Sequence, residues 1–110
     1  MSLPNADRAF IEPSKIRDYL LSASHPVGRF KASVFLALGY RIDDWELLRD
    51  DLLGLARAGI AAPGQPSRFG QKFEVDGNLR GPSGRFAPFR TVWILGAGEE
   101  APRFVTAFPR

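Results

Sequence analysis

Phe89-Arg90-Thr91-Val92-Trp93-Ile94-Leu95 is a run of seven residues in which every position except Arg90 and Leu95 is β-branched or aromatic. Such residues suit a pleated, half-buried surface, so the run predicts a central β-strand. Phe89, Thr91, Trp93 and Leu95 fall on one face, and Arg90, Val92 and Ile94 on the other. Upstream, Lys72-Phe73-Glu74-Val75-Asp76 alternates polar and apolar as a strand does, and Gly81-Pro82-Ser83-Gly84 between them is a turn signal. Downstream, Gly96-Ala97-Gly98 opens a second turn before a third strand, Arg103 to Phe108. Connections this short join antiparallel strands, because a parallel pair needs a crossover of a dozen residues or more.

The first half of the chain has a different period. Pro13 with Ile16, Tyr19 and Leu20 predicts a short amphipathic helix ending near Ser22. Pro26 is suited to begin a second helix, with Phe30, Val34 and Leu38 as its stripe and Gly39 as its stop. Asp43 and Glu46 resemble a capping box for a third helix. Trp45, Leu48, Leu52, Leu55 and Ala56 line its apolar face, and Gly59 closes it. Pro63, Gly64, Pro66 and Gly70 read as a loop. Helices first and an antiparallel meander afterwards give an α+β fold: about three N-terminal helices on one face of a C-terminal sheet of three to four strands.

The chain of 110 residues is 45% hydrophobic, the size and composition of one domain spanning 1–110. The absence of Cys excludes disulfides, Cys-based zinc sites and thiol chemistry, and makes a cytoplasmic location the expectation. Met1 to Phe10 has no apolar core of a signal peptide, and no apolar run approaches the roughly 20 residues a membrane span needs, so no membrane association is expected. Charge is uneven. Residues 1–60 carry eight basic and eight acidic side chains, whereas residues 61–110 carry seven basic against four acidic, which accounts for the whole net charge of +3. A basic second half fits an anionic partner, and also an ordinary solvated surface.

Groups for chemistry are few. His25 is the only histidine, and no Gly-x-Ser-x-Gly elbow accompanies it. No motif for a cofactor or metal is present; Asp43, Asp44, Asp50 and Asp51 diverge on a helix, and the first two fit a helix start. The segment His25-Pro26-Val27-Gly28-Arg29-Phe30-Lys31 gathers cations where a loop enters a helix N-terminus, whose amides and dipole favour a phosphate. Equally, His25 packs between helices while Arg29 and Lys31 are solvated. Thr91 and Thr106, placed on one sheet face beside aromatic rings, suit nucleotide binding; the plainer reading makes both threonines strand formers and Trp93 a core residue.

Longer stretches resemble a family. Leu3-Pro4-Asn5-Ala6, Ile16 to Leu21, His25-Pro26-Val27-Gly28 with Lys31-Ala32, Phe35, Leu38-Gly39-Tyr40 and Trp45 match an uncharacterised bacterial domain family. So do Gly81 to Arg85, Thr91 to Ile94 and Pro102 to Pro109. His-Pro-x-Gly-x-x-Lys and Arg-x-x-Thr-Ala-x-Pro are the most specific parts. Members of that family occur as small stand-alone proteins and as C-terminal modules of large secreted proteins, where polymorphic toxins carry their effectors. The element order also looks like the barnase/EndoU/colicin/RelE-like group of metal-independent ribonucleases, an analogy of architecture.

That resemblance implies a toxin domain cutting RNA by attack of the 2′-hydroxyl on the adjacent phosphate, without cofactor or metal. His25 and Lys31 would be catalytic, and Arg103, Thr106, Thr91 and Lys72 would hold phosphate or RNA. One histidine cannot serve as both acid and base, so a lysine or Glu74 must complete the cycle. A small antitoxin or immunity protein is the implied partner. The alternative is a non-catalytic protein-interaction module or nucleic-acid binder in a toxin–antitoxin or toxin–immunity pair.

Overall fold

A computed structural model of the chain describes residues 1–22, 24–25 and 29–110, with Arg29 and Phe30 described by their backbone. The expected helix start at Pro26 and the Phe30 end of the second stripe lie outside the described residues. A 3-10 turn, Ala6–Arg8, precedes α1, Pro13–Lys15, which runs on into a π-helical turn, Ile16–Leu20. Then come α2, Arg29–Ala37, a 3-10 turn at Ile42–Asp44, and α3, Trp45–Ala58. Four strands complete the chain: β1, Ile60–Ser67; β2, Gly70–Arg80; β3, Phe86–Gly96; and β4, Arg103–Pro109. They form one antiparallel sheet in the order β1-β2-β3-β4. The fold is α+β, with the helices N-terminal to the sheet.

The core lies between the helices and one sheet face. Phe89, Thr91 and Trp93 of β3 are fully buried, as the alternation requires, and Phe73, Val75 and Leu79 of β2 join them. Phe35 of α2 stacks on Phe89 with ring centroids 5.0 Å apart, and Phe104 meets Trp93 edge-on at 5.3 Å. From α3, Leu48, Leu52, Leu55 and Ala56 face inward as the spacing predicts, and Leu55 sits over Gly77. Burial of each large side chain contributes about 1.5–3 kcal/mol. Of the expected Phe30/Val34/Leu38 stripe, Leu38 is buried and Val34 half-buried against the core, with Ala32 and Phe35 buried beside them; the Phe30 side chain lies outside the described residues.

Three expectations are corrected. The first helix is not a uniform amphipathic helix: the Leu21 amide donates to the Ile16 carbonyl at 2.9 Å, closing a wide turn that buries Ile16 and Leu20 together. Asp43 forms no capping box, because residues 42–44 are wound into the 3-10 turn and the cap position falls on Asp44, which makes no side-chain cap bond. The stretch from Pro63 to Gly70 is not a loop. It contributes the end of β1 and the turn into β2, and its prolines are tolerated because β1 is an edge strand with a bulge between Pro63 and Pro66. The Gln71 side-chain amide donates to the Gly64 carbonyl at 2.6 Å and fastens that bulge.

A second bulge sits in β4. Trp93 pairs with Phe104, but Val92 pairs with Thr106 and Thr91 with Ala107, so Val105 is an extra residue. The one-residue slip turns Ala107 to the core and Thr106 to the other face. Thr91 and Thr106 therefore point to opposite sides of the sheet, contrary to the strict alternation read from the sequence.

Candidate active site

The cluster of interest forms where α1 and α2 meet edge strand β4. The chain before α1 covers the start of that edge: the Phe10 amide donates to the Pro102 carbonyl at 3.1 Å, and the Phe104 amide donates to the Phe10 carbonyl at 3.0 Å. Beyond this bridge, the bulge presents Thr106. The Lys31 ammonium, on the first turns of α2, donates to Thr106 Oγ1 at 2.7 Å and to the Tyr19 hydroxyl at 2.9 Å. The two hydroxyls are themselves 3.2 Å apart and share a third hydrogen bond. Lys31 has thus committed two of the three donors an ammonium carries.

Tyr19 reaches this point from the π-helical turn, whose wider winding buries Ile16 and Leu20 while the phenol projects toward β4. His25 meets the Tyr19 ring edge-on, with centroids 5.0 Å apart at 79°. Its amide donates to Ser22 Oγ at 3.2 Å, which fixes the segment against the end of the first helix. Together Lys15, Asp18, Tyr19, His25, Lys31 and Thr106 line a depression of about 800 Å³, with Phe108 on its wall.

Burial pushes the Tyr19 phenol up, but hydrogen bonds from Lys31 and Thr106, with the positive charges of Lys31 and Lys15, outweigh it and leave its pKa below the ordinary value. A phenol so placed gives up its proton more readily than one in water. The arrangement combines a cation, a proton-releasing phenol, an imidazole and a hydroxyl around one open concavity.

Of the residues singled out from the sequence, His25, Lys31 and Thr106 share this depression. Arg103 does not: it lines a neighbouring depression of about 320 Å³ with Glu12, Lys15, Lys72 and Val105. Lys72 is exposed there. Thr91 is fully buried, donates to the Val75 carbonyl at 2.8 Å and accepts from Trp93 Nε1 at 2.8 Å, so its hydroxyl is spent inside the core. Glu74, suggested as a second proton carrier, is paired with Arg90 at 3.1 Å and is not among the residues lining this depression. Tyr19 is the member that sequence reading missed. It stood in the first helix as an apolar-stripe residue, and only its pairing with a strand 87 positions away reveals its hydroxyl as polar machinery.

The sequence model of DUF6883, a domain of unknown function, matches residues 2–110. This chain belongs to the DUF6883 family. No curated protein matches it in sequence. Among solved structures, a chain of the contact-dependent growth inhibition toxin–immunity protein complex from Klebsiella pneumoniae 342 is similar, with a TM-score of 0.71 over 96% of each chain at 18% identity. At that identity the DUF6883 chain shares a fold with it.

Proposed function

We propose that this domain is a metal-independent endoribonuclease of the toxin kind, acting on RNA in the cytoplasm. The observation that carries the reading is the Lys31–Tyr19–Thr106 triangle with His25 against it. It answers the objection that one histidine cannot be both acid and base, because Tyr19 supplies the second proton carrier. A fold shared with a chain of a growth-inhibition toxin–immunity complex supports the same reading.

In this mechanism His25 takes the proton from the ribose 2′-hydroxyl as its oxygen bonds to the adjacent phosphorus. Tyr19 gives its proton to the departing 5′-oxygen as the P–O5′ bond breaks, leaving a 2′,3′-cyclic phosphate and a 5′-hydroxyl. Lys31 stabilises both the extra negative charge on the phosphoryl oxygens and the phenolate formed on Tyr19. Thr106 holds the ammonium in line and offers its hydroxyl to a phosphoryl oxygen.

The test is incubation of purified domain with total tRNA and mRNA in the presence of a chelator, followed by end-group analysis. Native protein is expected to produce cyclic-phosphate ends. Lys31→Met is expected to lower the rate by about 10²–10³, the cost of losing one transition-state donor. Tyr19→Phe and His25→Ala are expected to lower it by about 10²–10⁴. Intact RNA, or equal cutting by all variants, rejects the assignment.

A protein partner belongs to the same reading: an immunity or antitoxin protein that covers the depression. Co-purification of the domain with the product of an adjacent gene, lost competitively on adding RNA, is the expected result. If instead His25→Ala only lowers stability and the partner alone is recovered, the domain is a non-catalytic interaction module.

A further inference from the structure

We infer that Lys15, Lys72 and Arg103 form a second phosphate subsite beside the Lys31 cluster, so that the ligand is a single-stranded RNA segment held at consecutive phosphates and not a lone nucleotide. This inference rests on the RNA reading above and names the form of its substrate.

Arg103 and Thr106 pair with Ile94 and Val92, two residues apart on β3, so with Val105 bulged out they stand roughly 7 Å apart at ~3.3 Å per strand residue. They open onto different depressions, so the two do not converge on one phosphate. The two depressions are nevertheless contiguous, since Lys15 and Val105 line both. Lys72 of β2 and Arg103 of β4 pair from either side with Ile94 of β3, which brings both cations to one stretch of the open sheet face.

Their charge is uncompensated. On that same face, Arg90 is bound by Asp76 and Glu74, and Arg110 by Asp76. Among the described residues, Lys72 and Arg103 make no ion pair, and the one carboxylate lining their depression is Glu12. In that depression three cations stand against one carboxylate, with Asp18 and Glu74 lining the depressions on either side, and the excess positive charge adjoins the reactive groups where the next phosphate of a bound strand would lie. The exposed sheet thus separates into a neutralised half at Asp76 and a bare cationic half at Lys72 and Arg103.

The experiment measures binding of a fluorescent eight-nucleotide 2′-O-methyl RNA, which has no 2′-hydroxyl to attack, across a salt series. Its displacement by a nucleoside 3′-monophosphate is followed alongside. The double variant Lys72→Gln/Arg103→Gln is expected to reduce the slope of log affinity against log salt by about 0.7, the loss of one single-strand phosphate. The octamer's advantage over the monophosphate is expected to shrink with it. Arg85→Gln, in the turn at the opposite end of the β2–β3 hairpin, removes a positive charge away from the subsite and is expected to leave the slope as it was. An unchanged slope in the double variant, an equal change in Arg85→Gln, or no octamer binding by the native protein overturns the subsite. Octamer binding with the expected slope change, in a protein that leaves ordinary RNA uncut, supports the subsite and overturns the catalytic reading alone.

Discussion

At the scale of the residue, the two tyrosines of this chain are opposites. Tyr19 sits beside Lys31 and ionises more easily than usual, whereas burial, followed by the hydrogen bond to Asp51, pushes the Tyr40 phenol far up. A spectrophotometric titration of native protein is therefore expected to show one phenolate forming below pH 10 and the second only on unfolding. In Lys31→Met the first step moves upward, because burial then acts with less opposition; an unmoved step would break the link between the two groups. Thr91 makes a different kind of demand. Its hydroxyl joins the Val75 carbonyl to the Trp93 indole inside the core. Thr91→Val leaves the buried indole N–H unsatisfied and is expected to cost about 1–3 kcal/mol in urea denaturation. Residual RNA cleavage, corrected for folded fraction, should be that of the native protein.

Elements show what local pattern can and cannot announce. The helical half and the three later strands are legible because Leu48, Leu52 and Leu55, or Phe89, Thr91 and Trp93, repeat at the period of their element. Strand β1 is not, because Pro63, Gly64 and Pro66 signal a turn unless one knows that they fall on an edge and at a bulge. The site was half legible. His25, Lys31 and Thr106 stand out by residue type, whereas Tyr19 depends on a π-helical winding and Thr106 on a one-residue slip that alternation hides. The resemblance makes Arg103 and Thr106 one phosphate clamp; strict alternation would set them on opposite faces, and the extra Val105 brings both to the open face, where they nonetheless line separate depressions. Deleting Val105 is expected to remove the bulge while keeping Thr106 opposite Val92, so the Lys31 contact and the low Tyr19 titration should survive in a folded variant; loss of that titration would show that the bulge itself positions the threonine. The α2–α3 corner is equally exacting. Gly39 has φ of +100° and a Cβ there would lie 2.6 Å from the Ser83 amide nitrogen of the β2–β3 turn. Gly39→Ala is expected to destabilise by more than the ~1 kcal/mol of an ordinary left-handed alanine, read as a lowered thermal midpoint.

For the whole molecule, the open sheet face ties stability to pH. The hydrogen bond from Arg90, with the charges of Arg110 and Arg90, holds the Asp76 carboxyl below its usual range. A carboxyl whose pKa is lower folded than unfolded contributes stability above the unfolded value of about 3.9, and that contribution is lost as pH falls through the folded value. Asp76 is partly exposed, so solvent screening keeps the effect under about 1 kcal/mol. Asp76→Asn is expected to lower stability at neutral pH by that amount and to flatten the acid limb of the stability profile, with the gap between variant and native closing at low pH. Charge on this face is thus divided between ion pairs around Asp76 and cations at Lys72 and Arg103 that make no ion pair among the described residues.

The Lys31–Thr106 contact joins positions 75 apart, one on the second helix and one on the last strand. During synthesis the helices are complete long before β4 leaves the ribosome, and until it does the ammonium has no threonine and the groove has no far wall. The polar cluster accordingly assembles only in a late step of folding, when β4 zips onto the sheet.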